Sequence, residues 1–408
     1  MKPLQSSDHV IVVGAGLAGW RLVKSLRNEG YEGALSLIGD EPYPPYDRPP
    51  LSKQVLSGKW DIAEASLATH DHIATLDATF RLGAAVTKLD VATTSVTLAD
   101  SSTVEGSRVA LALGCRARAL RMPSSGVLPS LRSRDDLEQL NGALAPLEPQ
   151  SVVAIIGGGF VGAEVATSLH TRGFTPVVIE AASRPLLEVL GEEVSSWLLR
   201  LAGDFGVELR TNQQLFDVEK SEAGFRLHFA DGASFEAGTV LAAVGSSLEL
   251  EWLEDSGLHL DNGIVVDRDL QAAPGVAAIG DVARFPFTNS AGEELIRIEH
   301  WEVATNQAAQ LARFWMSGES ATSITVPYFW SDQYGKKIQQ LGYPHSTDDV
   351  VRVSGSLAEG KWLALYSREG AVTGAVSLSQ PRDLSLSHVL LESPTTLAEA
   401  MAMAPWSS

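Results

Sequence analysis

The chain has 408 residues, 45% of them hydrophobic and 20% charged, enough to bury the cores of two or three domains. Its 31 Lys and Arg face 50 Asp and Glu, a net charge of −19, which argues against nucleic acid as a partner because phosphate chains are held by basic surfaces. A polar segment, Met1–His9, leads directly into an apolar run, and no stretch approaches the ~18 apolar residues of a membrane helix, so a cytoplasmic protein without membrane contact is expected.

Val10–Val13 reads as a buried strand that runs into Gly14-Ala15-Gly16-Leu17-Ala18-Gly19. Ala18, Leu22 and Leu26 then recur at helical spacing, Gly30 supplies a stop, and a second strand, Ala34–Ile38, is followed by Asp40 and Glu41. Strand, glycine loop, helix, strand and acid is the order that cradles a dinucleotide. The first glycine permits a tight turn, the second lets a pyrophosphate approach the backbone, and the third lets helix and strand pack closely. The phosphates meet N–H groups at the positive end of the helix. Asp40 stands near the offset of roughly 20 residues at which an acid receives the ribose hydroxyls. Glu41 takes that role if the strand ends one residue later.

Beyond the acid, Pro45-Tyr46-Asp47-Arg48-Pro49-Pro50-Leu51-Ser52-Lys53 is stiffened by three prolines, which hold Arg48 and Lys53 on a defined path. Cys115 follows the apolar run Val109–Leu113 and is the chain's single cysteine, so no internal disulfide and no redox-active cysteine pair can form. Disulfide reductase chemistry is thereby excluded. Cys115 reads as a small packing residue at a strand end, with a peroxidatic role as the alternative. Arg108, Arg116, Arg118, Arg121, Arg132 and Arg134 occur with no acid among them and could form a local basic patch. Residues 131–150 read as connecting structure.

A second copy of the grammar follows. Val152–Ile156 precedes Gly157-Gly158-Gly159-Phe160-Val161-Gly162, then come Val161, Val165 and Leu169 at helical spacing, Gly173, the strand Thr175–Ile179, and Glu180. One such loop is weak evidence; two imply two dinucleotides and electron transfer between them. Glu180 favours NADH, because a carboxylate ~4 Å from a 2′-phosphate at an effective dielectric near 20 costs about 4 kcal/mol. Ala181 and Ala182 offer no rescuing cation, although Arg184 lies close behind. Glu164, on the same helix, reads either as a solvated carboxylate opposite the apolar face or as a site residue.

Further on, Asp281 follows a small apolar strand in Ala278-Ile279-Gly280-Asp281-Val282-Ala283. Glu299-His300-Trp301 leads to Ala304-Thr305-Asn306-Gln307, which looks like a helix start. Trp330 opens Trp330-Ser331-Asp332-Gln333. The tail alternates strand-like runs, Lys361–Ser367 and Ala371–Ser377, with helical runs around Leu384–Leu391 and Thr396–Met403.

From about Val10 to beyond Gly374, the ordered set PYDRPPLSK, GGGFVGAEVA, AIGDVA, EHW and FWSDQ resembles the FAD-dependent NADH:ferredoxin reductases of bacterial Rieske oxygenase and cytochrome P450 systems. The resemblance implies an α/β protein with two Rossmann-like dinucleotide-binding domains, a glutathione-reductase-like FAD/NAD-linked reductase fold, plus a smaller C-terminal α/β domain. It implies a discontinuous FAD-binding domain (1–118 and 245–324), an NADH-binding domain (119–244) and a C-terminal domain (325–408). Gly14, Gly16, Gly19, Asp40, Arg48, Lys53, Asp281, Trp301 and Trp330 would hold FAD, with a core or interface tryptophan as the lesser alternative for Trp330. Gly157, Gly159, Gly162, Glu164 and Glu180 would hold NADH. Lys53 and Glu164 would flank the path of hydride as the catalytic pair, tuning the site without acting as acid and base, and no metal is implied. Hydride would pass from NADH to FAD, and single electrons to a 2Fe-2S ferredoxin, Rieske-type or adrenodoxin-like. Arg48, Arg284, Lys336, Lys337 and Arg382 are candidates for a cationic docking face. Two departures stand out: Ala112-Leu113-Gly114 where relatives read Ala-Thr-Gly, and Ala117-Arg118 in place of Pro-Arg. A small-molecule acceptor such as oxygen, a quinone or monodehydroascorbate, or a flavin-dependent interaction role, remains the alternative.

Overall fold

A computed structural model describes residues 2–320, 326–403 and Trp406. The expected boundary at 324/325 and Met1 lie outside the described residues. Nine elements position the candidate residues: β1 (His9–Val13), α1 (Leu17–Asn28), β2 (Ala34–Gly39), β3 (Val152–Ile156), α2 (Phe160–Thr171), β4 (Thr175–Ile179), α3 (Leu187–Phe205), α4 (Trp301–Ser317) and β5 (Tyr328–Gln333). The chain divides into two compact units, residues 1–47, 66–116 and 248–329 in one and 48–65, 117–247 and 330–408 in the other.

In the first unit, β1 is the apolar run His-Val-Ile-Val-Val, fully buried after its first residue, as a parallel strand covered on both faces requires. It lies inside a six-stranded sheet ordered Gln271–Ala273, Val276–Ala278, Arg108–Leu111, β1, β2, Thr79–Leu82. Ile11 is in parallel register with Ser36 on one side and Val109 on the other. Leu22, Val23 and Leu26 of α1 and Ala308, Leu311 and Ala312 of α4 pack into one core with these strands. Gly30, at φ 87, ends the excursion after α1.

The second unit repeats the plan with a four-stranded parallel sheet ordered Glu208–Arg210, β4, β3, Thr239–Ala242, beside a three-stranded antiparallel meander over residues 215–237. Its C-terminal part is a five-stranded antiparallel sheet ordered β5, Lys336–Gly342, Ala371–Leu378, Lys361–Arg368, Asp349–Ser356, followed by helices Pro381–Leu391 and Leu397–Met403. Leu190, Val194 and Leu198 of α3 pack on Trp362, Tyr366 and Val376 of that sheet, and the Tyr366 hydroxyl donates to the Leu190 carbonyl (2.8 Å). The α/β class and the strands and helices expected in the tail agree with this arrangement.

Two local expectations are corrected. Residues 131–150 are not merely connecting structure: Arg134–Leu144 is a helix, opened by a Ser133–Asp136 capping box and burying Leu137, Leu140 and Leu144. The helix expected to start at Ala304 starts three residues earlier, at Trp301, with His300 as a cap whose side chain makes no capping bond. Among the described residues no helix is long and apolar enough to cross a membrane.

Candidate functional site

In the first unit, β1 delivers the chain to Gly14 at φ 110, where a Cβ would strike the Ala112 carbonyl. A Cβ on Gly19 would strike the Gly14 carbonyl, so helix and loop are packed backbone to backbone. Gly16 is different. It caps α1 with no side-chain bond, and a Cβ there would meet nothing within 4 Å. The loop thus offers an uncapped helix N-terminus with open space in front of its backbone, a fit for a diphosphate.

Asp40 directly follows β2, and its Oδ1 accepts the Glu41 N–H (3.0 Å). Its other oxygen pairs with Arg116, which also reaches Glu249 at 3.2 Å. Burial works against the Arg116 guanidinium, but the two carboxylates outweigh it and hold its pKa above the ordinary arginine value. Glu41 instead accepts the Tyr46 hydroxyl (2.5 Å).

Asp281 lies in a short turn, Gly280–Val282, where its carboxylate accepts the Cys115 thiol (3.4 Å) and its carbonyl accepts Arg297 (3.0 Å). Cys115 is buried, in line with a packing residue, but it also touches a predicted cofactor ligand. The Gly280 N–H donates to Gln307 of α4 (2.8 Å). Trp301 opens α4, with its indole N–H on Asp47 (2.9 Å) and the Arg21 guanidinium 5.2 Å from its ring centroid. His300 stacks on Phe329 with ring centroids 4.8 Å apart, and burial pushes its pKa down to about 4, so it is neutral at neutral pH.

The second unit carries the same loop. Gly157 has φ 108, a Cβ on Gly162 would strike the Gly157 carbonyl, and Gly159 is the open cap of α2. Glu180 directly follows β4 and is held by two backbone donors, the N–H of Gly158 on Oε2 and the N–H of Ala182 on Oε1, each at 2.8 Å. The acid is therefore fixed against the glycine loop itself.

Glu164 is where the structure departs most from the helical pattern. Val161, assigned to the apolar face, is 42% exposed, whereas Glu164 is 5% exposed. Its Oε2 accepts Lys53 Nζ (2.6 Å) and the Ser52 hydroxyl (2.7 Å), and its Oε1 accepts the Ser331 hydroxyl (2.7 Å). Ser331 in turn accepts from Gln333 (3.1 Å), and Ser168 of α2 donates to the Ser52 carbonyl (2.7 Å). A buried carboxylate so supplied with donors is held as an ion-paired anion in one orientation. Lys53 also donates to the Pro49 carbonyl (3.2 Å), and Arg48 caps that turn and donates to the Arg132 carbonyl (2.9 Å). Trp330 stands half-buried on β5 beside Ser331. Ser52, Ser168, Ser331 and Gln333 were not singled out from the sequence, because a buried serine beside a carboxylate leaves no periodic signal.

Gly14, Gly16, Gly19, Asp40, Asp281 and Trp301 thus belong to the first unit, and Arg48, Lys53, Gly157, Gly159, Gly162, Glu164, Glu180 and Trp330 to the second. The run of arginines is largely committed internally: Arg116 to Asp40 and Glu249, Arg118 to the Ser246 carbonyl (3.2 Å), Arg134 to Glu138 (3.0 Å). Of the docking candidates, Arg284 pairs with Asp261, and Lys337 lies 3.9 Å from Asp332. Among the described residues no group of three or more His, Cys, Asp or Glu could hold a metal.

Residues 8–308 match the family model described as pyridine nucleotide-disulphide oxidoreductase, and residues 328–407 match one described as reductase C-terminal. The chain is 34% identical to the benzene 1,2-dioxygenase system ferredoxin–NAD(+) reductase subunit of Pseudomonas putida, over 95% of this chain and 93% of that protein. It is 32% identical to rhodocoxin reductase of Rhodococcus erythropolis, over 96% and 91% of the two chains. Among solved structures, the reductase in the covalent putidaredoxin reductase–putidaredoxin complex superposes with a TM-score of 0.89 at 30% identity, covering 95% of this chain and 94% of that one. The ferredoxin reductase for the CYP199A2 system from Rhodopseudomonas palustris gives 0.88 at 29%, over 97% and 98%. Two open glycine loops, each followed by an acid, and a match over nearly the whole chain lead to one assignment: the chain belongs to the pyridine nucleotide-disulphide oxidoreductase family, among the ferredoxin reductase components of dioxygenase and P450 systems.

Proposed function

We propose that the chain is an FAD-dependent NADH:ferredoxin reductase, taking hydride from NADH and delivering single electrons to a 2Fe-2S ferredoxin that feeds an oxygenase. The observation that carries the reading is the buried ion pair between Lys53 and Glu164, the latter on the helix that opens from the second glycine loop. A solvated helix carboxylate would not be buried under donors from two separate stretches of chain, Ser52–Lys53 and Ser331. FAD, when bound, supplies the conversion of a two-electron hydride into one-electron steps.

The chain's own groups bind and orient. Gly14, Gly16 and Gly19 present backbone N–H groups to the FAD pyrophosphate, Asp40 receives its adenosine ribose, and Asp281 and Trp301 hold the remainder from the first unit. Arg48, Lys53 and Trp330 are assigned to FAD by the motifs in which they stand. Gly157, Gly159 and Gly162 do for NADH what the first loop does for FAD, with Glu180 at the adenosine ribose and Glu164 toward the nicotinamide end. Glu164 and Lys53 fix charge and position, and neither needs to move a proton. The lone, buried cysteine leaves no dithiol to oxidise, which separates this chain from the disulfide-reducing members of its family. We assign residues 1–118 and 245–324 to FAD, 119–244 to NADH and 325–408 to the C-terminal domain, and place the protein in the cytoplasm.

Anaerobic stopped-flow absorbance of the flavin-loaded protein, mixed first with NADH and then with a panel of 2Fe-2S ferredoxins, tests the proposal. Rapid bleaching by NADH followed by ferredoxin reduction is expected. Bleaching with transfer only to oxygen or a quinone would move the acceptor to a small molecule, and absence of bleaching would remove the enzymatic reading.

A further inference from the structure

Pro185 is buried at the second glycine loop: a Cβ built on Gly158 would lie 3.1 Å from Glu180 Oε2 and 3.4 Å from Pro185 Cβ. The chain leaving Glu180 therefore returns to the loop within a few residues, and it brings Arg184, the neighbour of Pro185, back toward the end of β4. The Arg184 guanidinium is paired with Glu192 Oε1 at 3.1 Å. Glu192 is presented by α3 immediately after Gly191, whose φ 75 and ψ 178 break the helix. A planar guanidinium beside a ribose-binding acid is what a site for a 2′-phosphate would use, because its forked donors match phosphate oxygens.

We propose that Glu192 is a specificity-determining residue for the dinucleotide: by pairing with Arg184 it withholds the cation that a 2′-phosphorylated dinucleotide requires. Discrimination is then divided between two carboxylates, Glu180 by direct repulsion and Glu192 by sequestration. This rests on the reading that Glu180 meets the adenosine ribose. Arg184 and Glu192 are 34% and 75% exposed, so the pair biases the arginine and does not lock it.

The test is isothermal titration of the FAD-loaded protein with NAD+ and NADP+, together with kcat/KM for the reduced forms. In an E180A background, E192Q is expected to tighten NADP+ about two- to fivefold, the worth of an exposed ion pair, and to leave NAD+ within about twofold. R184A should abolish the gain, as a double-mutant cycle requires of a residue acting through another. E188Q removes the same charge from the first turn of α3 and should give no gain. A gain that survives R184A, or an equal gain from E188Q, would overturn the proposal in favour of general charge reduction. A shift toward NADP+ in E180A with nothing added by E192Q would overturn the role of Glu192 alone. An unchanged preference in E180A would overturn the placement of Glu180, and this proposal with it.

Discussion

Glu164 and Lys53 are 6% and 13% exposed at their side chains, and each is the other's neutralising charge. Removing one member of a buried pair costs about 3–5 kcal/mol, because the survivor keeps its desolvation penalty without its partner. Lys53→Met should therefore lower stability by about 3 kcal/mol in chemical denaturation, and Lys53→Met/Glu164→Leu should recover most of it. NADH-dependent flavin bleaching should stay slow in both variants. A double variant that regains both stability and rate would make the pair a packing feature only. Glu180, whose oxygens are both on backbone donors, bears on the choice of nucleotide. Glu180→Ala combined with Ala181→Arg should shift preference toward NADPH, read as the ratio of kcat/KM values; an unaltered NADH preference would remove Glu180 from the ribose.

The glycine loops show which part of an element serves the fold and which serves the ligand. A Cβ on Gly19 collides with backbone, so Gly19→Ala should cost about 1–3 kcal/mol, the range for overpacking, seen as a lower Tm of the flavin-free protein. Gly16 sits at φ −79 with open space around it, so Gly16→Ala should leave that Tm unchanged and lower the flavin retained on gel filtration. These loops were legible because their chemistry is local: strand, turn, helix and acid fall within one short window. The burial of Glu164 was not legible, since Lys53 lies 111 residues before it and Ser331 167 residues after. Helical spacing pointed instead to Val161, which the structure leaves exposed. The early start of α4 was hidden for another reason: His300 makes no side-chain capping bond, so the usual Ser, Thr or Asp marker is missing. The helix at Arg134–Leu144 did carry its marker, Ser133 with Asp136, under a composition that reads as a connector.

At the scale of the whole molecule, one buried ring adds a defined contribution to acid sensitivity. His300 has an unfolded pKa near 6.5 and a folded value of about 4, lowered by burial. Between those values the unfolded chain binds a proton that the folded one does not, so this contribution is fully present above pH 6.5 and is lost as pH falls toward about 4. The total is about 3 kcal/mol, and His300→Phe, which keeps the stack on Phe329, should flatten that part of the stability–pH profile. An unchanged slope would assign the acid sensitivity to other groups. Residues 48–65 fall in the same compact unit as 117–247 and 330–408. Recombination between two reductases is constrained by that grouping. Breakpoints at residues 119 and 244 would transplant Glu164 and leave Ser52, Lys53 and Ser331 behind, so the incoming carboxylate would meet donors selected for another chain. A chimera that also inherits 48–65 and the strand bearing Ser331 would receive the ion pair and its hydroxyl donors as one heritable block.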